Sequence, residues 1–112
     1  MVLFYDLQKK EMAELHQLST DFNQYLSEKI IVKSPVNLYE PIKYILDLGG
    51  KRIRPLLVLL TADLYGKAYK LGFPAALAVE VFHNFTLIHD DIMDAAPLRR
   101  GHPTVHHKWN EN

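Results

Sequence analysis

The 112-residue chain is predicted to be all-α. Three observations support this. Apolar residues recur every three or four positions through the first thirty residues. Proline and glycine fall at the ends of the periodic runs, where they start or stop helices. The longest apolar run, residues 75–94, continues too far without a break to be a strand.

The first helix is expected over residues 6–31. Leu7, Met12, Leu15, Leu18, Phe22, Tyr25, Leu26 and Ile30 form one apolar stripe there. Ser34-Pro35 breaks it. Asn37 is placed to cap the second helix, with Glu40 in the capping-box position and Pro41 in the first turn. Gly49-Gly50 ends that helix. A third helix is expected over 53–65, stopped by Gly66, followed by a turn at Gly72-Phe73-Pro74. The fourth, 75–94, is apolar nearly all round and is therefore expected to be central and buried. Residues 95–102 are expected to be a loop, and Pro103 to open a last helix over 103–112. So few helices cannot surround a central apolar one. The chain is therefore expected to be part of a larger helical domain, or to complete its core by association.

Composition excludes several classes. Hydrophobic residues make up 48% and charged residues 23%, ordinary for a globular chain. The net charge of zero gives no reason to expect a nucleic-acid partner. No cysteine is present, so disulfides and thiolate metal sites are excluded. That fits a reducing compartment, and the expected location is cytoplasmic. The N-terminus lacks a basic segment followed by an apolar run, so no signal peptide is expected. No uncharged apolar run reaches 18 residues, so no membrane-spanning helix is expected.

The charges are grouped. Residues 89–101 read H-D-D-I-M-D-A-A-P-L-R-R-G. On a helix Asp90 and Asp94 face the same way, and Asp91 lies about 100° round. Like charges at that spacing repel by about 0.2–0.5 kcal/mol, and the helix C-terminus disfavours anions further. A bound cation would resolve both terms. Oxygen-only donors point to Mg²⁺ or Mn²⁺. Arg99 and Arg100 follow with forked donors suited to phosphate. Upstream, G-G-K-R-I-R-P at 49–55 sets Lys51 and Arg54 near a helix N-terminus, on one face if that helix starts near residue 51. His83 lies two turns before Asp90 on nearly the same face. His102 and His106 have metal-pair spacing, but the first lies outside the helix.

G-G-K-R-I-R-P at 49–55, H-N-F-T-L-I-H-D-D-I-M-D at 83–94 and L-R-R-G-H-P-T at 98–104 together resemble the trans-isoprenyl diphosphate synthases, the polyprenyl synthetase family. The resemblance covers nearly the whole chain, but only the first third of a typical member. It implies the N-terminal helices of an isoprenoid-synthase-type bundle, with residues 1–112 as one partial domain. It implies that Lys51, Arg54, His83 and Arg100 hold the diphosphate of isopentenyl diphosphate, and that Arg99 reaches the allylic diphosphate. Asp90 and Asp94 would bind magnesium, and Asp91 would support that shell. Asp90, Asp91, Asp94 and Arg99 are thus the expected catalytic group. Phe85 and Thr86, five and four residues before the first aspartate, would read chain length, with a short C15 or C20 product. A homodimer or other self-association is expected. The family's second aspartate-rich motif is absent, so the chain alone is expected to be inactive. Two other readings are a non-catalytic diphosphate-binding subunit and a terpene cyclase. G-G-K-R-I-R-P and R-R-G argue against the cyclase, which has no isopentenyl diphosphate to hold.

Overall fold

The computed structural model describes residues 2–109. Five α-helices follow in order: α1 Val2–Lys29, α2 Val36–Asp47, α3 Ile53–Leu64, α4 Phe73–Met93 and α5 Val105–Lys108. A 3₁₀ turn, Tyr69–Gly72, leads directly into α4. Between α4 and α5 lies a small antiparallel hairpin, β1 Leu98–Arg99 with β2 His102–Pro103.

α1 is longer than its stripe implied and only half of it packs. Leu18, Phe22 and Leu26 are buried. Leu7, Met12 and Leu15 are exposed, as are Val2, Leu3, Phe4 and Tyr5. The projecting N-terminal half of α1 is part of an elongated molecule, 59 × 29 × 19 Å. The core joins Phe22 and Leu26 to Ile45 and Leu46 of α2, Leu59 of α3 and Ala76 of α4. Phe73 seals it, with its ring centroid 4.8 Å from Tyr25 and 6.3 Å from Phe22.

Several expected boundaries move. α1 stops at Lys29, before Ser34-Pro35. α2 starts at Val36, with Pro35 in extended conformation at the cap. Asn37 and Glu40 therefore lie inside the helix and form no capping box. Pro41 also lies beyond the first turn. Gly72 and Phe73 are helical rather than a turn, because the 3₁₀ segment continues into α4. The loop expected at 95–102 contains the hairpin strand β1. Pro103 sits in β2, so α5 starts only at Val105. Trp109 is extended, and residues 110–112 of the expected last helix lie outside the described residues.

The larger correction concerns α4. Its buried residues are Ala76, Glu80, Asn84 and Asp91, mostly polar. Phe82, Phe85, Ile92 and Met93 are exposed, Phe82 by 67% and Met93 by 83%. The other helices lie along one side of α4, and the apolar remainder faces outward. The 25-residue stretch Tyr69–Met93 is also long and apolar enough, by length and composition, to cross a membrane, against the sequence expectation. It nevertheless carries a buried ion pair to the α3 cap and packs against α1, α2 and α3. Those contacts are the ones a protein-packed helix makes.

Candidate active site

The α2–α3 linker, α4 and the hairpin turn meet at a cavity of about 340 Å³. Its lining is Gly50 to Arg54 together with Glu80, His83 and Arg100. Four of the residues singled out by sequence, Lys51, Arg54, His83 and Arg100, thus converge on one space. They do so by a different route from the one expected. α3 starts at Ile53, so Lys51 stands in the linker and does not share a helix face with Arg54. The first-turn N–H groups of Ile53 and Arg54 have no helical partner and add positive potential there.

Backbone geometry explains the glycine pair. Gly50 has φ +143°, and a Cβ there would stand 3.0 Å from Arg100 Nη2 and 3.3 Å from Cζ. Arg100 donates through Nη1 to the Gly49 carbonyl. Arg100 and Gly101 both have positive φ, forming the two-residue turn that joins β1 to β2. The hairpin is fixed from two sides. Thr104, fully buried, donates to the Ala96 carbonyl at 2.8 Å, and Tyr44 donates to the Pro103 carbonyl at 2.7 Å.

His83 Nε2 lies 3.3 Å from Arg54 Nη1. A guanidinium only donates, so Nε2 accepts and the ring hydrogen sits on Nδ1. Burial, and then the Arg54 charge, hold the imidazole below its usual pKa. It is therefore neutral near pH 7, beside an excess of positive charge.

The aspartates divide into two roles. Asp91 is buried and takes a forked pair from Arg99, Nε to Oδ2 at 2.7 Å and Nη2 to Oδ1 at 2.8 Å. This bond holds Arg99 firmly protonated. It uses one N–H each of Nε and Nη2, leaving both Nη1 hydrogens and the second Nη2 hydrogen free of Asp91. Asp90 and Asp94 are exposed and stand one turn apart. Asp94 is the C-cap of α4, and its N–H donates to the Asp90 carbonyl at 2.9 Å. Ala95, at φ +51°, then turns the chain out of the helix in a Schellman arrangement. No group of three His, Cys, Asp or Glu side chains converges on a metal position among the described residues. Two exposed carboxylates fit magnesium, which takes one or two and fills its other positions with water and phosphate.

Thr86 donates to the His83 carbonyl at 2.6 Å. Phe85 lies on the open face of α4, half exposed, its ring 4.3 Å from that of His89.

One buried network escaped the sequence reading. Arg52, in left-handed conformation at the α3 cap, pairs with Glu80 at 2.7 Å. Asn84 donates to the same Glu80 oxygen at 3.0 Å, while its own Oδ1 is buried without a partner among the described residues. A signal for it was present, since a lone carboxylate inside an apolar helix needs a partner.

The polyprenyl synthetase family model matches residues 35–112. The chain is 46% identical over 98 residues to the geranylgeranyl diphosphate synthase of Methanosarcina mazei, covering 88% of this chain and 30% of that protein. It is 43% identical over 102 residues to the farnesyl diphosphate synthase of Haemophilus influenzae, covering 88% and 35%. Among solved structures it resembles a geranylgeranyl pyrophosphate synthase at 59% identity and TM-score 0.84, covering 88% of this chain and 30% of that one. It also resembles the geranylgeranyl pyrophosphate synthetase of Geoglobus acetivorans at 40% identity and TM-score 0.81, covering 85% and 31%. The chain spans about a third of the length of the curated relatives it matches. With the G-G-K-R-I-R-P linker and the D-D-I-M-D helix end on one side of a helical fold that these structures share, the chain belongs to the polyprenyl synthetase family.

Proposed function

We propose that residues 1–112 supply the isopentenyl diphosphate cradle and the first aspartate pair of a short-chain prenyl diphosphate synthase, as one partial domain. The observation that carries this reading is the convergence of Lys51, Arg54, His83 and Arg100 on one cavity. His83 lies about 10 Å along α4 from Asp90.

In this reading Lys51, Arg54 and Arg100 neutralise and orient the diphosphate of isopentenyl diphosphate, and His83 adds a hydrogen bond. Asp90 and Asp94 would hold Mg²⁺, or Mn²⁺, against the allylic diphosphate. A bound divalent ion stabilises the charge that develops on the departing diphosphate. Arg99, oriented by Asp91, directs its remaining N–H groups toward the same diphosphate. The overall reaction is a condensation. The allylic carbon–oxygen bond breaks, the isopentenyl double bond forms the new carbon–carbon bond, and a proton leaves. The apolar open face of α4, including Phe85, would keep water from the allylic chain, and Phe85 with Thr86 would limit the product to C15 or C20. This sequence lacks the second aspartate-rich motif that the resemblance implies, so this chain alone is expected to bind without turning over.

Isothermal titration tests the reading. Isopentenyl diphosphate should bind, and binding should be lost in Arg54→Ala. Mg²⁺ with an unreactive allylic diphosphate analogue should bind separately, and that binding should be lost in Asp90→Ala. A folded chain that binds neither ligand would overturn it.

A further inference from the structure

The Arg52 guanidinium is buried, and each of its three nitrogens donates a hydrogen bond inside the protein. Nη1 donates to Glu80 Oε1 at 2.7 Å, Nη2 to the Leu46 carbonyl at 2.7 Å and Nε to Asn23 Oδ1 at 3.3 Å. Its side chain and that of Glu80 are each 6% exposed. Arg52 is thus turned into the core with each of its nitrogens engaged, although it stands between Lys51 and Arg54 in the lining of the cavity. Its three partners belong to α1, the end of α2 and α4. The fork fixes the linker against all three at once.

Two consequences reach the cavity. Arg52 has φ +56°, a conformation disfavoured for any residue with a Cβ. Held there, it separates Lys51 from α3 and lets Lys51 and Arg54 line the same space. Glu80 also lines that cavity. Paired with Arg52 it presents no net charge to an incoming diphosphate, whereas unpaired it would repel one.

We propose that Arg52, through its buried pair with Glu80, is a positioning residue for the diphosphate cradle: it sets the Lys51–Arg54 geometry and cancels the one carboxylate in the lining. The inference rests on the cradle reading of the preceding section.

The test uses the chain with two ligands, isopentenyl diphosphate alone and Mg²⁺ with an unreactive allylic analogue. Arg52→Lys keeps the charge opposite Glu80 but replaces the fork by a point donor that cannot reach three partners. Isopentenyl diphosphate affinity should fall roughly tenfold, as it does when a supporting residue behind a ligand group is lost. Affinity for the Mg²⁺–allylic ligand should stay within about twofold, because Asp90 and Asp94 stand about 10 Å and about 16 Å along α4 from His83. Glu80→Gln keeps the acceptor and should retain isopentenyl diphosphate binding. Arg52→Gln with Glu80→Gln leaves no stranded charge in the core and should repeat the one-sided loss where Arg52→Lys is too unstable to measure. Unchanged isopentenyl diphosphate affinity in either Arg52 variant would overturn the proposal. So would a parallel fall for both ligands, or loss of helical circular dichroism in both variants, since each would mark a role in the core alone. Failure of the unaltered chain to bind isopentenyl diphosphate would remove the cradle itself, and the proposal with it.

Discussion

Single atoms decide the site at the residue scale. Gly50 suits its place because its φ of +143° disfavours a side chain and a Cβ there would crowd the Arg100 guanidinium at 3.0 Å. Gly50→Ala is expected to weaken isopentenyl diphosphate binding and to destabilise the fold by about 1–3 kcal/mol, since Ala is strained at φ +143°. Titration and urea denaturation would read the two effects. Asp91→Asn removes one half of a charge-assisted fork and is expected to cost about 1–3 kcal/mol in urea denaturation. Lys51, Arg54, His83 and Arg100 were legible in the sequence because the basic and histidine residues cluster in a recognisable order. The separation of Asp91 from Asp90 and Asp94 was half legible, from its 100° offset on the helix wheel. The Arg99 fork on Asp91 was not legible, because nothing in the order of residues shows which guanidinium folds back. The Arg52–Glu80 pair joins residues 28 apart through space, and only the isolated charge in an apolar run hinted at it.

At the scale of elements, the helices were legible from period and punctuation, and their ends less so. Pro35 displaced Asn37 as the α2 cap because its own extended backbone presents its carbonyl to the N–H groups of Leu38 and Tyr39. The hairpin was missed because its turn places an arginine, not asparagine or glycine, at the first left-handed position. The buried face of α4 was inverted for a physical reason. Hydrophobicity marks surface that needs covering, but the surface that is covered here bears Glu80, Asn84 and Asp91, with Glu80 paired to Arg52 at the α3 cap and Asp91 to Arg99 of the hairpin. α1 divides in the same way. Phe22 is fully buried, and Phe22→Ala should cost about 3–5 kcal/mol in chemical denaturation. Met12, 71% exposed on the projecting half, should tolerate Met12→Ser within about 0.5 kcal/mol.

At the scale of the whole molecule, apolar surface stays uncovered along the N-terminal half of α1, on the Ile53, Leu57 and Leu64 side of α3 and on the outer face of α4. Exposed apolar surface of this extent drives association. The chain should therefore sediment as a dimer or larger species at micromolar concentration. A strictly monomeric boundary in analytical ultracentrifugation would contradict that. The sequence already pointed to association, since a helix read as apolar nearly all round needs more neighbours than three or four other helices provide.

In the proposed function Lys51, Arg54, His83 and Arg100 form a diphosphate cradle in this chain as it stands. The most direct measurement is an NMR titration of the His83 imidazole with and without isopentenyl diphosphate. In the free chain the ring should titrate below its ordinary value of 6.5, because burial and Arg54 favour the neutral form. A bound diphosphate offsets that positive field and should raise the ring's pKa. Binding then takes up a proton, so affinity should rise as pH falls through the liganded value and level off below the free one. His83→Gln should remove this ring's share of the slope. A His83 resonance and titration curve unchanged by saturating isopentenyl diphosphate would contradict the account.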